Sequence, residues 1–488
     1  MALRASEDMA AASEPRPGVT LSRSLGPLSL IALGIGAIIG AGLFSLTGIA
    51  AAENAGPAVV ISFVLAAIGC AFAGMCYSEF AAMLPIAGSA YTYARATLGT
   101  FVAWVIGWDL VLEYAVGAAT VSVSWSRYVV SFLHDFGIQL PAQLALSPFE
   151  TARLPDGSTV SGIVNLPAIL VVVALSLLLM RGIRGSASVN SVIVVVKVAI
   201  VVTFIAIGVF FIKHANYVPF IPENTGSFGE FGWSGIWRGA AVIFFAYIGF
   251  DAVSTAAQEA RHPQRDMPIG IIGSLAICTV LYVAFAFVLT GMVHYTDMKG
   301  DAAPVATAID ITPYPWLHAL IKIGIILGFT SVILVLLLGQ SRVFYAMASD
   351  RLLPRVFAEI HPVWRTPWRA NLIFMAFVGA LAGFVPISGL AHMTSIGTLL
   401  AFTIVCIGII VLRRTRPELP RPYRTPFVPA VPVLGILMCL TMMLSLGIAT
   451  WLRLAIWLAI GLAIYFGYSR RHAVPPTDIA ALAEQHGR

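Results

Sequence analysis

From Leu33 to Phe44 the chain reads LGIGAIIGAGLF, with glycines at positions 34, 36, 40 and 42 in an apolar run. A helix is weak through Gly40, Ala41 and Gly42, because glycine has more backbone freedom to lose on folding than any other residue. Unwinding there would free main-chain amides and carbonyls, which at bilayer depth must meet a ligand or line a cavity. The same glycines also fit a close-packing face, since Gly36 and Gly40 form a GxxxG pair. A second stretch, FFAYIGFD (Phe244 to Asp251), sets Gly249 and Asp251 beside aromatic residues in another apolar run. Paired glycine-interrupted helices in corresponding positions are the sequence pattern of a binding site at the membrane midplane.

Charged residues inside apolar runs are the other candidates for chemistry. Lys197 stands within VIVVVKVAIVV (Val192 to Val202). An ammonium exposed to lipid costs about 2.5–3.5 kcal/mol even on the lenient insertion scale, so Lys197 is expected to face the interior. There it is either a proton-exchanging group or one half of a static ion pair. Glu113 and Asp109 are four residues apart and so share a helix face. Glu113 could pair with Lys197, line a substrate pocket or make structural hydrogen bonds; Asp109, nearer its helix start, fits a structural role. Asp251 is placed to cap the segment after Gly249. Glu79 and Arg342 fit packing anchors.

These groups must be positioned by membrane-spanning helices. Of the 488 residues, 59% are hydrophobic and 11% charged, far below the charge a water-soluble surface carries. A typical soluble enzyme, a disordered chain and a nucleic-acid binder are thereby excluded, despite a formal charge of +6. Runs long enough to cross a bilayer, about 20 residues each, begin near Leu28, Pro57, Phe101, Val164, Val189, Ile236, Ile269, Leu317, Asn371, Met393, Val428 and Trp451. This predicts an all-α membrane protein of about twelve spans. The hairpin from Asn371 to Leu412 is the weakest, because Pro386 and Gly389 divide it.

Arginine placement sets an orientation. With the N-terminus inside, the inner connections hold Arg95, Arg181, Arg184, Arg261, Arg265, Arg351, Arg355, Arg365 and Arg369, then a cluster from Arg413 to Arg424. The outer connections hold Arg153, Lys213 and Lys299 among Asp135, Glu150, Asp156, Glu223, Glu230, Asp297 and Asp301. Basic loops resist translocation, so both termini are expected in the cytoplasm of a cell with this protein in its plasma membrane. Residues 1–26 read as a short cytoplasmic tail. No connection is long enough to fold alone, so function belongs to the bundle.

Several ordered motifs carry a family resemblance: GIGAIIGAGLF (Gly34 to Phe44), CYSEFAAMLPIAGSAYTYA (Cys76 to Ala94), GWDLVLEY (Gly107 to Tyr114), FFAYIGFD and GQSRVFYAMASDRLLP (Gly339 to Pro354). Together they resemble the amino acid–polyamine–organocation transporter superfamily, and within it the cationic amino acid transporter branch and its bacterial relatives. The resemblance implies a leucine-transporter-type fold. Two inverted five-helix repeats, 27–213 and 214–415, would be followed by two helices in 416–470 and a tail in 471–488, with helices 1 and 6 broken. It implies a secondary active amino acid carrier working by alternating access. The substrate carboxylate would lie near the amides of Ala41, Gly42 and Leu43, and its ammonium near the carbonyls of Ile38, Phe245, Ala246 and Ile248. Phe245 and Tyr247 could equally be core aromatics. Phe329 on the eighth helix would shorten the pocket, which favours small or medium neutral amino acids. Lys197 would stand where sodium-coupled relatives hold their ion, so protons are the expected coupling partner, with Glu113 a further candidate. Sodium coupling, or exchange of cationic substrates, is the alternative.

No cofactor or metal is expected. Cys70, Cys76, Cys278, Cys406 and Cys439 lie in apolar runs without a CxxC pattern. His294, His318 and His392 are scattered, and neither HExxH nor GxSxG occurs, which argues against an intramembrane enzyme. Expected partners are an amino acid substrate, protons and membrane lipid. A small single-span subunit is left open.

Overall fold

The computed structural model describes residues 25–83, 90–153, 159–181, 187–251, 253–254, 260–301 and 303–474. Residues 1–24 and 475–488, most of the tails expected at 1–26 and 471–488, lie outside the described residues, as do Arg184, Asp156 and the 84–89 part of the second motif.

The fold is helical. Among the described residues, seven helices are long and apolar enough to cross a membrane, including Thr100–Asp135, Pro263–Met292, Pro315–Ser349 and Ile387–Thr415. Shorter apolar helices run over Pro27–Ile38, Leu166–Arg181, Trp368–Phe384 and Ala430–Ser445. Proline opens several of them: Pro27, Pro263, Pro304 and Pro315 sit in the first turn. Its missing N–H costs nothing there and its fixed φ suits the helix. Pro386 acts from the opposite side, as the residue just ahead of Ile387–Thr415. The hairpin divided by proline is therefore two helices, of 17 and 29 residues. The second begins six residues earlier than its apolar run suggested.

The connections carry small elements that hydropathy alone does not reveal. Thr151–Arg153 pairs antiparallel with Thr159–Ser161 as a short hairpin. Ala90–Thr97 is a separate helix of 8 residues, with Arg95 in its last turn, that leads into the third span. Pro304–Asp310 is a short helix with a buried face.

Burial ranks the helices. The apolar window of Thr100–Asp135 is 83% buried, whereas that of Ile448–His472 is 22% buried. The third span is thus central and the last is peripheral. Pro263–Met292 packs along both Val59–Met83 and Pro27–Ile38, and Pro315–Ser349 along Gly117–Asp135. Glu79 fixes one end of the bundle. It takes two hydrogen bonds from Arg413, at 3.0 and 2.7 Å, and one from the Thr425 amide at 2.7 Å. This is the packing anchor expected for Glu79; Arg342 is exposed.

Candidate functional site

The first helix stops at Ile38. Ile39 turns extended (φ −69°, ψ 107°), and the chain resumes a helical path as a wide π-turn over Gly42–Leu46. The first hydrogen bonds of the resumed segment run from the Leu43 and Phe44 amides to the Gly40 carbonyl, at 3.1 and 3.3 Å. The amides of Gly40, Ala41 and Gly42 therefore head a helix start with no helical carbonyl behind them, the arrangement that favours an anion. The break falls at Ile39–Gly40, slightly earlier than the Gly40–Gly42 stretch.

A matching interruption follows Gly232–Ile243. The helix tightens to 3-10 geometry over Phe244–Tyr247, Ile248 turns extended (φ −59°, ψ 138°) and Gly249 takes φ +114°. That dihedral is strained for any side chain and open to glycine. The carbonyls of Ala246 and Ile248 lie in the bend where the chain leaves the helix. That of Phe245 accepts the Ile248 amide at 3.2 Å.

The two interruptions touch reciprocally. A Cβ on Gly42 would collide with the Ala246 backbone, and one on Gly249 would lie 2.8 Å from the Ala37 carbonyl group. Glycine at both positions is what lets two main chains meet without side chains between them. All the candidate residues here are buried: Ala41 is 1% exposed, Leu43 0%, Ala246 1% and Ile248 7%. The site is occluded from solvent.

Several carbonyls near the break already have donors. Tyr282 donates to Ile38 at 2.9 Å and Tyr128 to Phe44 at 2.6 Å. A ligand ammonium at Ile38 would share that oxygen with Tyr282, a residue the sequence pattern did not single out. Tyr247 donates to the Phe63 carbonyl at 3.0 Å and packs on Phe63 and Tyr282, as a core aromatic does.

Lys197 lies in Ala187–Gly208, is 2% exposed and donates to the Gly36 carbonyl at 2.8 Å. Room for it comes from Pro315–Ser349. A Cβ on Gly324 would strike Ile200, and one on Gly328 would lie 3.4 Å from the Lys197 methylenes. Glycines four residues apart thus seat Ile200 and Lys197. Next along the same helix, Phe329 meets Phe44 edge-on at 5.9 Å and Tyr128 at 5.5 Å. Val332 passes Gly40, 3.4 Å from where a Cβ would be.

Glu113 is elsewhere. It sits in a π-turn over Leu112–Val116, 1% exposed, beside Asp251 and Asp109. Tyr114 donates to Asp251 at 3.2 Å. The pairing of Glu113 with Lys197 allowed by sequence is therefore not made: Lys197 faces Gly36, Cys278 and Gly328, and Glu113 faces two carboxyl groups. Asp251 joins this group. Of the segment it was expected to cap, residues 252 and 255–259 lie outside those described.

A further buried cation, Lys322, also escaped the sequence reading. It is fully buried and bridges Asp135 and Asp310 at 2.8 and 2.9 Å. Its position near one end of a long helix looked like an ordinary span flank.

Chemically, helix-start amides beside a bend rich in carbonyls can hold a carboxylate and an ammonium at once. Among the described residues, no group of three or more His, Cys, Asp or Glu side chains could hold a metal ion. The amino acid permease family profile matches residues 25–476. The chain is 43% identical to the methylthioribose transporter of Bacillus subtilis, over 93% of this chain and 95% of that one. It is 44% identical to the branched-chain amino acid permease BcaP of the same organism, over 93% and 94%. It is 35% identical to the vacuolar cationic amino acid transporter 4 of Arabidopsis thaliana, over 82% and 64%.

Proposed function

From the premise that the chain belongs to the amino acid permease family, we propose a proton-coupled secondary carrier for small and medium neutral L-amino acids. The chain is a multi-pass membrane protein and not an enzyme. The observation that carries the reading is the mutual contact of two helix breaks, Gly42 on Ala246 and Gly249 on Ala37. Backbone groups there read the constant part of an amino acid, so the side chains lining the breaks need not be polar.

In this reading the helices make twelve crossings as two inverted five-helix repeats and a final pair, with both termini in the cytoplasm and the chain in the plasma membrane. The carboxylate meets the amides of Ala41 and Gly42; that of Leu43, expected from the sequence to join them, is already given to the Gly40 carbonyl at 3.1 Å. The ammonium meets carbonyls of the Ile38 and Phe245–Ile248 bends. Phe329, held by Phe44 and Tyr128, limits side-chain length and favours neutral substrates up to the branched aliphatics. Lys197 holds the first half-helix through Gly36 while protonated; losing the proton weakens that tie and lets the half-helix move. Glu113 and Asp251 are a second place where a proton can reside.

Identity to a methylthioribose carrier supports a second reading. A neutral thiosugar has no carboxylate or ammonium and would leave the helix-start amides without their ionic partner. The test is uptake of labelled alanine, leucine, arginine and methylthioribose into proteoliposomes, with proton and sodium gradients imposed separately. Neutral amino acids driven by protons support the proposal. Methylthioribose or arginine as the best solute, or drive by sodium, counts against it.

A further inference from the structure

A concavity lined by none of the helix-break residues lies between the start of the third span and the end of Ile387–Thr415. It has a volume of about 620 Å³ and is lined by Leu98, Phe101, Val102, Ile404, Ile407 and Arg416, among others. That is within the roughly 300–1,000 Å³ of small-molecule sites. The walls are apolar and open outward, with Phe101 45% and Ile407 41% exposed. One side is edged by aromatic rings, with Tyr465 5.2 Å and Phe466 6.4 Å from Phe101.

The polar end is basic. Arg416 lines it with its side chain 49% exposed, and its nearest acid, Glu418, stands 3.9 Å away. Arg470 follows Phe466 by one helical turn and is exposed, as is Arg471. The length of the groove selects its occupant. Thr100 to Val105 rises about 8 Å and Ile404 to Thr415 about 17 Å. A membrane-spanning helix of a partner needs about 30 Å, so the groove matches the acyl chain of one leaflet.

We propose that this groove binds an anionic phospholipid, one acyl chain lying along Leu98, Val102 and Ile404 and the phosphate headgroup meeting Arg416. Lipid tails are as apolar as the groove, so hydrocarbon burial gives little preference among lipids. Selectivity comes from the headgroup, where a basic residue near the surface is worth roughly a fivefold preference. The inference rests on the chain crossing a membrane and is independent of the solute carried.

The test is native mass spectrometry of the full chain in detergent with equimolar dioleoyl phosphatidylglycerol and dioleoyl phosphatidylcholine. Wild type should retain phosphatidylglycerol about fivefold over phosphatidylcholine. Arg416→Gln should bring the ratio near one, and Val102→Trp or Ile407→Trp should lower the retention of both lipids. Arg424→Gln, in the neighbouring loop, should change nothing, and monodisperse elution should show each variant folded. A wild-type ratio near one, retention that survives Arg416→Gln or both tryptophan variants, or loss with Arg424→Gln overturns the proposal.

Discussion

The Lys197 ammonium donates to the Gly36 carbonyl at 2.8 Å, two residues before the first helix ends at Ile38. A side chain on one helix thus holds the segment of another that leads into the break. Lys197→Ala removes that tie, and uptake in proteoliposomes should lose its response to an imposed pH gradient while exchange of internal for external substrate persists. Drive by the pH gradient equal to that of wild type would place coupling elsewhere.

The contact of Gly42 with Ala246 leaves no room for a methyl group. Gly42→Ala forces main chain from main chain, a kind of overpacking that costs about 1–3 kcal/mol. Gly249→Ala adds strain at φ +114°. Both variants should lower the melting temperature and reduce uptake at least tenfold, whereas Gly26→Ala, with nothing within 4 Å of its Cβ, should do neither. Near-wild-type uptake by Gly42→Ala would mean that the two breaks do not need their close approach.

Glu113 and Lys197 face different groups, so their substitutions should act independently. A double-mutant cycle on Lys197→Met and Glu113→Gln, read by thermal unfolding, should give a coupling energy within about 0.5 kcal/mol of zero. Coupling beyond about 1 kcal/mol would restore the direct pairing that the sequence left open.

Phe329 is fixed by Phe44 and Tyr128 and carries the expectation for substrate size. Phe329→Ala should cost about 3–5 kcal/mol of stability, typical of emptying a buried aromatic position. Phe329→Met, which keeps more volume, should fold and shift competition against labelled alanine toward longer side chains. An unchanged competition series with Phe329→Met would remove this ring from the substrate boundary.

Lys322→Met tests the bridge to Asp135 and Asp310. The ammonium is fully buried while the carboxylates are 28% and 40% exposed, so solvent compensates part of the loss. The expected cost is about 1–2 kcal/mol rather than the 3–5 kcal/mol of a fully buried pair. Unchanged thermal stability would make the bridge incidental.

Much of this was legible in the sequence, for identifiable reasons. Apolar run length exposes most membrane helices because the bilayer imposes a minimum. Glycine at 42 and 249 signals interruption because few other residues tolerate those geometries. Hydropathy did not reveal that Ile387–Thr415 extends across Gly389, since one glycine weakens a long helix without ending it. Nor did it place the first break at Ile39, where an ordinary β-branched residue takes an extended dihedral. Tyr282 and Tyr128 went unnoticed because an aromatic in an apolar span looks like packing until its hydroxyl finds a carbonyl. The partner of Glu113 was equally hidden: helix periodicity gives a face, and only the bundle decides that Asp251 lies opposite.

In the proposed carrier, recognition of both charged ends of an amino acid falls to main-chain groups at two abutting helix breaks. It is tested most directly by competition of alanine, alanine methyl ester and N-acetylalanine against labelled alanine in proteoliposomes. Alanine should compete and both derivatives should fail, because each masks one charged end. Competition by either derivative as strong as that of alanine itself would contradict it.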